Sequence, residues 1–204
     1  NKVGMISTVE ATSCGRNIPK SGTTPEALEL YSILNEFVHD GVKAACMEVS
    51  SQGLAYNRVD GIDFFVGAFL NLGEDHISPT EHHSFEEYKA AKMRLMTLCR
   101  HGVVNIDDAA APDFLNAATC ETMTTIGIDS ECDLRACDVT QTKTGIDFTV
   151  RGKFFDGERF SLRIPGKFNV YDALAAIASA ALCGICAESV RKGLAETKIP
   201  GRME

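Results

Sequence analysis

Apolar and polar positions along this 204-residue chain follow two habits, and the change between them near residue 130 organises it. In the first part, short apolar runs alternate with longer stretches of helical spacing. Lys2 to Thr8 reads as a short strand and Glu10 to Gly22 as a polar loop. Thr24, Pro25 and Glu26 predict a helix start, with threonine as cap and proline in the first turn. Leu28, Tyr31, Leu34, Phe37 and Val38 then recur at helical spacing and are expected to face a sheet. Gly41 ends that helix. Val42 to Met47 is expected to be a buried strand, followed by Ser50 or Ser51 as the cap of a short helix ending near Arg58.

Asp63 to Leu70 is bulky and continuous, as expected of a strand covered on both faces. A helix is predicted from Ser84 to Cys99, with Ser84 and Glu87 in capping-box spacing. Gly102 to Ile106 reads as a buried strand, Ala109 to Ala118 as a helix and Met123 to Ile128 as a strand. From Leu134 to Ile164 the pattern turns two-fold, broken by the turn signals Thr144-Gly145 and Asp156-Gly157. Helical spacing returns from Asn169 to Leu182 and from Ala187 to Ala195. The expected fold is therefore α/β: a mostly parallel sheet flanked by helices, carrying a small antiparallel meander. One domain is expected over 1–204, with an antiparallel β subdomain at 133–165.

Net charge is −8 with no basic run, so no nucleic-acid partner is expected and a polyanionic ligand would need local groups. No apolar run approaches the roughly 20 residues of a membrane helix. Eight scattered cysteines read as free thiols. Cys183-Gly-Ile-Cys186 has C-x-x-C spacing, but no second pair accompanies it to complete a zinc site. No repeat or zipper-like surface is present, and a monomer is expected.

Candidate chemistry gathers where strands end. Glu48 with Ser50 and Ser51, Asn71 to His76, and Asp107 with Asp108 each follow an apolar run, and a parallel sheet collects such residues along one edge. Carboxylate, imidazole and hydroxyls beside a phosphate suit a hard cation such as Mg²⁺. Lys92 lies among small and apolar residues in Tyr88-Lys-Ala-Ala-Lys92-Met93; it is either a snorkelling surface lysine or a desolvated one whose neutral amine is accessible.

Seven segments carry a resemblance in order: Thr23-Thr24-Pro25, Met47-Glu-Val-Ser-Ser-Gln-Gly-Leu54, Asn71-Leu-x-x-Asp75-His76, Glu87-Tyr-x-Ala-Ala-Lys92, Val104-Asn-x-Asp-Asp108, Gly166-x-Phe-Asn169-Val-Tyr171 and Pro200-Gly-Arg-Met-Glu204. Nearly end to end, the chain resembles the Mur ligases, most of all the branch that adds the third amino acid to UDP-N-acetylmuramoyl-L-alanyl-D-glutamate. The resemblance implies the P-loop-NTPase-like central domain of an ATP-dependent amide ligase of cytoplasmic peptidoglycan synthesis. It implies ATP as co-substrate, two Mg²⁺ ions, UDP-MurNAc-dipeptide and an amino acid, either diaminopimelate or lysine. Glu48 and His76 would hold metal, and Lys92 matches a lysine that carries a CO₂ adduct and ligates it. Thr23, Thr24, Ser50, Tyr56 and Arg58 match positions that bind the UDP-MurNAc substrate. Asn169, Asp172 and Arg202 match positions that contact ATP.

Two departures accompany the resemblance. The glycine-rich loop G-x-x-G-K-[TS]-T and its strand are absent, so this chain alone is expected to be inactive and to bind ATP poorly. The stretch from His76 to the next helix is about two residues longer than usual, as a paralogue could have. A folylpolyglutamate or cyanophycin synthetase-like ligase and a non-catalytic UDP-sugar-binding module remain the alternatives. A dinucleotide-binding dehydrogenase is disfavoured, since no G-x-G-x-x-G opens a βαβ unit.

Overall fold

The computed structural model describes residues 2–73, 77–78 and 81–197. The chain divides into two compact units, Asn1–Ile62 with Glu74–Leu95, and Asp63–Gly73 with Met96–Glu204.

The first unit is built on four short strands, β1 (Val3–Ile6), β2 (Ala11–Ser13), β3 (Arg16–Ile18) and β4 (Ala44–Met47), in the order β3-β2-β1-β4. β4 runs parallel to β1, with Val3 beside Ala44 and Ile6 beside Met47, while β2 and β3 are antiparallel. The stretch expected as a polar loop thus holds a hairpin. Cys14 and Gly15, both at positive φ (52° and 86°), make the tight turn that joins its two three-residue strands. Helix α1 (Ala27–His39) makes the crossover from this hairpin to β4.

Its buried face is Leu30, Ile33 and Phe37; of the residues expected to face the sheet, Leu28, Tyr31 and Val38 are exposed, Leu28 at 91%. The stripe is offset because the helix begins at Ala27 with Glu26 as its cap, without a side-chain cap bond. Thr24 is not the cap and serves the site described below. β4 also departs from expectation. It is the outer strand of its sheet, and Ala44, Ala45 and Cys46 are exposed rather than buried.

Two more helices complete this unit. α2 (Ser51–Ala55) is capped by Ser50, whose hydroxyl accepts from Gly53 N at 3.0 Å. α3 (Phe85–Met93) is shorter than expected and passes into a 3₁₀ turn at Arg94–Thr97. Ser84 Oγ accepts from Glu87 N at 3.1 Å as the capping box predicts, but the Glu87 carboxylate returns to His83 N at 3.0 Å rather than to Ser84 N. Arg94 donates to Asn57 Oδ1 at 2.8 Å and pairs with Asp60 at 3.1 Å, tying the end of α3 to the loop after α2.

The second unit contains a six-stranded sheet in the order β10-β9-β8-β7-β6-β5. β5 (Phe64–Phe69), β6 (Cys99–Asn105), β7 (Thr122–Gly127) and β8 (Leu134–Gln141) are mutually parallel; β9 (Ile146–Gly152) and β10 (Arg159–Leu162) continue antiparallel. The two-fold alternation after Leu134 therefore extends the same sheet. β5 is an edge strand, so Phe65 stays 45% exposed where cover on both faces was expected. Val103, Ile126, Leu134, Phe148, Phe160 and Leu174 form the centre of one core, closed by helices α5 (Phe168–Leu182) and α6 (Ala187–Glu196). Helix α4 (Ala111–Ala117) follows β6.

Gly152 fixes the start of the antiparallel part. It pairs with Leu134 at φ +112°, and a Cβ there would stand 2.1 Å from the Asp133 carbonyl oxygen. The obstructing atoms are the Asp133–Leu134 backbone, which cannot yield as a side chain would, so Gly152→Ala is expected to destabilise this unit by about 3 kcal/mol, read as a lower urea midpoint at unchanged m-value.

Candidate active site

In the first unit the sequence candidates meet at the carboxyl end of β4. Glu48 extends the parallel ladder, its N–H donating to Ile6 O at 2.9 Å, so its side chain leaves the strand where β1 also ends. Thr24 sits beneath it, 1% exposed. Its hydroxyl donates to Glu48 O at 3.0 Å and accepts from Ser50 N at 2.8 Å. One buried side chain therefore clamps both sides of the Glu48–Ser50 turn, satisfying backbone groups that a strand end leaves orphaned. α2 can approach Thr24 this closely only because residue 53 is glycine: a Cβ there would lie 2.7 Å from Thr24 Cγ2. This accounts physically for the glycine of Met47-Glu-Val-Ser-Ser-Gln-Gly-Leu54.

The Glu48 carboxylate receives the Thr8 amide and, at 2.7 Å, the Thr8 hydroxyl. Thr8 in turn shares a hydrogen bond with Thr23 at 3.1 Å, so Thr23, Thr8 and Glu48 form an exposed row of oxygen atoms. Arg58 donates to Thr24 O at 3.1 Å and pairs with Glu26 at 2.6 Å, with its guanidinium 5.6 Å from the Tyr56 ring centroid. Its Nε is buried without a hydrogen-bond partner, although the side chain keeps 20% exposure. A held guanidinium beside exposed hydroxyls and a carboxylate can recognise an oxyanion ligand.

Lys92 occupies the last turn of α3 in the same unit, half-buried, with Nζ 5.2 Å from the Tyr88 ring centroid. His76 and Arg202, expected at the metal and at ATP, lie outside the described residues. Among the described residues no three histidine, cysteine, aspartate or glutamate side chains cluster as a metal site. The donors at the β4 end are nevertheless the hard oxygens that Mg²⁺ takes, and they fit such an ion if further ligands join Glu48.

The second unit holds the other candidates. Asn169 is buried in the first turn of α5, its Nδ2 donating to Pro165 O at 2.7 Å; Asp172 is on the same helix and exposed. The organising group here is Asp107, just beyond β6. Its carboxylate accepts from the amides of Ile128, Asp129 and Ser130 at 2.7, 2.9 and 2.9 Å and from Tyr171 OH at 3.1 Å. Burial opposes its charge, but the Asp129, Ser130 and Ile128 donors outweigh burial and hold the carboxyl well below its ordinary range. Burial first, and then the Asp107 bond, push the Tyr171 hydroxyl up to about 12. Lys167 pairs with Asp129 at 2.9 Å and borders a cavity of about 580 Å³ whose walls include Ile128, Arg135, Val139 and Ile146. Asp107 was a strand-end candidate in the sequence, but its amide and Tyr171 partners were not legible there, and Thr8 was not singled out at all; each acts through partners distant along the chain.

An α/β unit with a hydroxyl-clamped carboxylate at a parallel strand end has the layout of a ligand-binding α/β protein, whose sites lie outside the carboxyl ends of the strands. Comparison with known proteins narrows it. Residues 1–180 match the model of the Mur ligase middle domain, and the chain belongs to that family. It is 39% identical over its whole length to UDP-N-acetylmuramoyl-L-alanyl-D-glutamate--2,6-diaminopimelate ligase 2 of Clostridium acetobutylicum, spanning 42% of that protein. It is 36% identical, again over its whole length, to the corresponding L-lysine ligase of Streptococcus suis, spanning 41%. A solved UDP-N-acetylmuramoyl-L-alanyl-D-glutamate--2,6-diaminopimelate ligase superposes with TM-score 0.87 at 24% identity, covering 99% of this chain and 42% of that one. The MurF ligase of Thermotoga maritima in complex with ADP gives 0.65 at 17% identity, covering 98% and 43%. The chain thus spans about two-fifths of the length of the relatives it matches.

Proposed function

We propose that the intact protein carrying this chain is an ATP-dependent ligase that joins a third amino acid, diaminopimelate or lysine, to UDP-N-acetylmuramoyl-L-alanyl-D-glutamate through an acyl phosphate. It would act as a monomer in the cytoplasm during peptidoglycan synthesis. The observation that carries the reading is the Thr24 clamp: one buried hydroxyl fixes Glu48 and Ser50 together, beside Arg58, a layout that suits the substrate anion and metal the proposed ligation would need. Among the described residues no helix is long and apolar enough to cross a membrane.

In this reading Thr23, Ser50, Tyr56 and Arg58 hold the UDP-MurNAc-dipeptide, and Thr24, buried beneath them, serves that site by fixing Glu48 and Ser50. Asn169 and Asp172, with Arg202, hold ATP. Glu48, His76 and a CO₂ adduct on Lys92 ligate two Mg²⁺ ions, which neutralise charge on the crowded phosphates. The Thr8 amide and hydroxyl keep the Glu48 carboxylate oriented toward the strand end. Arg58, fixed by Thr24 O and Glu26, is positioned to meet a substrate oxyanion without first paying the side-chain ordering cost.

The test is ligation by the intact protein with ATP, Mg²⁺ and UDP-MurNAc-L-Ala-D-Glu, offering diaminopimelate or lysine and reading phosphate release with product mass. The expected result is a product heavier by one acceptor residue and one phosphate released per bond. Phosphate release only with a folate and glutamate, or no turnover with any acceptor while the protein is folded, overturns the reading.

A further inference from the structure

His82 is a histidine that the site has not yet used. Its side chain is 1% exposed. Nε2 lies 2.8 Å from Ser51 Oγ; Nδ1 is buried without a hydrogen-bond partner, 3.7 Å from Glu87 Oε1. The ring centroid is 5.4 Å from that of Tyr88, the residue over which Lys92 Nζ sits. Its backbone is held as well, by the bridge between Ile77 and His82 and by Ser78 N donating to His82 O at 3.1 Å.

The ring faces two elements, α2 and α3. Ser51 opens α2 immediately after the Ser50 cap, and Ser50 N is what Thr24 grips. Glu87 and Tyr88 belong to the first turn of α3, the helix that carries Lys92. With a carboxylate opposite Nδ1, electrostatics favours the tautomer with its proton on Nδ1, so that Nε2 accepts from the Ser51 hydroxyl. Carboxylate, imidazole and hydroxyl in that order form the relay used for nucleophilic catalysis. Here Ser51 is 6% exposed at a helix start and its hydroxyl is engaged by His82, so the arrangement is not open to a substrate and has another use.

We propose that His82 is a positioning residue of the ligation site. Through Ser51 it ties the turn that presents Glu48 and Ser50 to the helix that presents Lys92, with Glu87 setting the ring's orientation. This rests on the ligase reading above. If Glu48 and a Lys92 carbamate both supply oxygens to the metal site, their two supports must keep a fixed separation, and orientation errors of that kind lower turnover steeply. The nucleotide candidates Asn169 and Asp172 belong to the other unit and take no part.

The experiment is steady-state ligation by the intact protein with His82→Asn, His82→Gln, Ser51→Ala and the His82→Asn/Ser51→Ala pair, with folding checked by circular dichroism. Asparagine is too short to reach Ser51, whereas the glutamine amide oxygen reaches the place of Nε2. His82→Asn is expected to lower kcat at least tenfold and to raise KM for the UDP-MurNAc-dipeptide, leaving KM for ATP within twofold. His82→Gln is expected to recover to within threefold of wild type, and the double variant to be no worse than His82→Asn alone. If His82→Asn merely lowers the melting temperature while the folded enzyme keeps wild-type kcat and KM, the positioning role is wrong. Multiplying effects in the double variant, or a glutamine variant as poor as asparagine, overturn it too. Those outcomes leave the ligase reading standing; a wild type that ligates nothing removes both.

Discussion

Lys92→Ala in the intact protein is expected to lose ligation by a thousandfold or more, equivalent to about 4 kcal/mol of transition-state stabilisation. The size follows from what the side chain would become. The ammonium would first lose one proton; the neutral amine attacking CO₂ would then form an N–C bond, open one C=O π bond and release a second proton, so that a cation at the end of α3 becomes a monoanionic oxygen ligand. On the proposed reading, removing it would both delete a metal ligand and leave the phosphates less neutralised, losses that each reach a hundredfold or more at such sites. Lys92→Arg separates this from a cation's role, because arginine keeps the charge but cannot carry the adduct. It is expected to be as inactive as alanine. Short carboxylic acids at millimolar concentration should restore part of the alanine variant's rate and none of the arginine variant's, since only the smaller residue leaves room. With ¹³C-bicarbonate, the wild type should give a carbamate resonance that Lys92→Ala lacks. An active wild type without that resonance in saturating bicarbonate and Mg²⁺ would remove the adduct from the mechanism.

The parts of the fold that were legible are those whose pattern is local and long. The continuous run of β6, the alternation of β8 to β10 and the small-residue face of α5 came through with boundaries within a few residues, because one long helix or sheet covers them. The hairpin of β2 and β3 did not. Its strands are three residues each, and the turn at Cys14-Gly15 carries only one glycine as a signal. The α1 stripe was misplaced for a related reason. Thr24-Pro25-Glu26 looks like a helix cap, but the threonine hydroxyl is engaged by Glu48 and Ser50, 24 and 26 residues away, and the helix starts later.

The same distinction holds within the candidate site. Glu48, Ser50, Arg58 and Lys92 were identified because short motifs surround them. Thr8 reaches Glu48 over 40 residues, His82 reaches Ser51 over 31 and Asp107 reaches Tyr171 over 64, and side-chain partnerships at those separations leave no periodicity to read.

Asp107→Asn is expected to destabilise the second unit by about 2–3 kcal/mol at pH 7, because a carboxylate bonded to several donors is replaced by an amide whose NH₂ opposes some of them. The pH dependence is the sharper signature. Folding holds the Asp107 carboxyl below its unfolded value of about 4, so the unfolded chain binds the extra proton as pH falls. Its contribution is fully present above about pH 5 and is lost progressively below that, down through the folded value. The wild-type advantage over Asp107→Asn should therefore shrink between pH 5 and pH 2, as measured by urea unfolding at fixed ionic strength. Tyr171 gives the opposite sign. Its hydroxyl is raised to about 12, so its contribution is present below the ordinary value near 10 and fades as pH climbs from there toward 12. Tyr171→Phe should flatten that alkaline limb and, by removing one of the four donors to Asp107, make the acid limb shallower without abolishing it. A gap between wild type and Asp107→Asn that stays constant from pH 7 to pH 2 would mean that the three amides and Tyr171 do not depend on the charge. In that case the loop at Ile128–Ser130 and the start of α5, where Asn169 and Lys167 sit, would be held by packing alone.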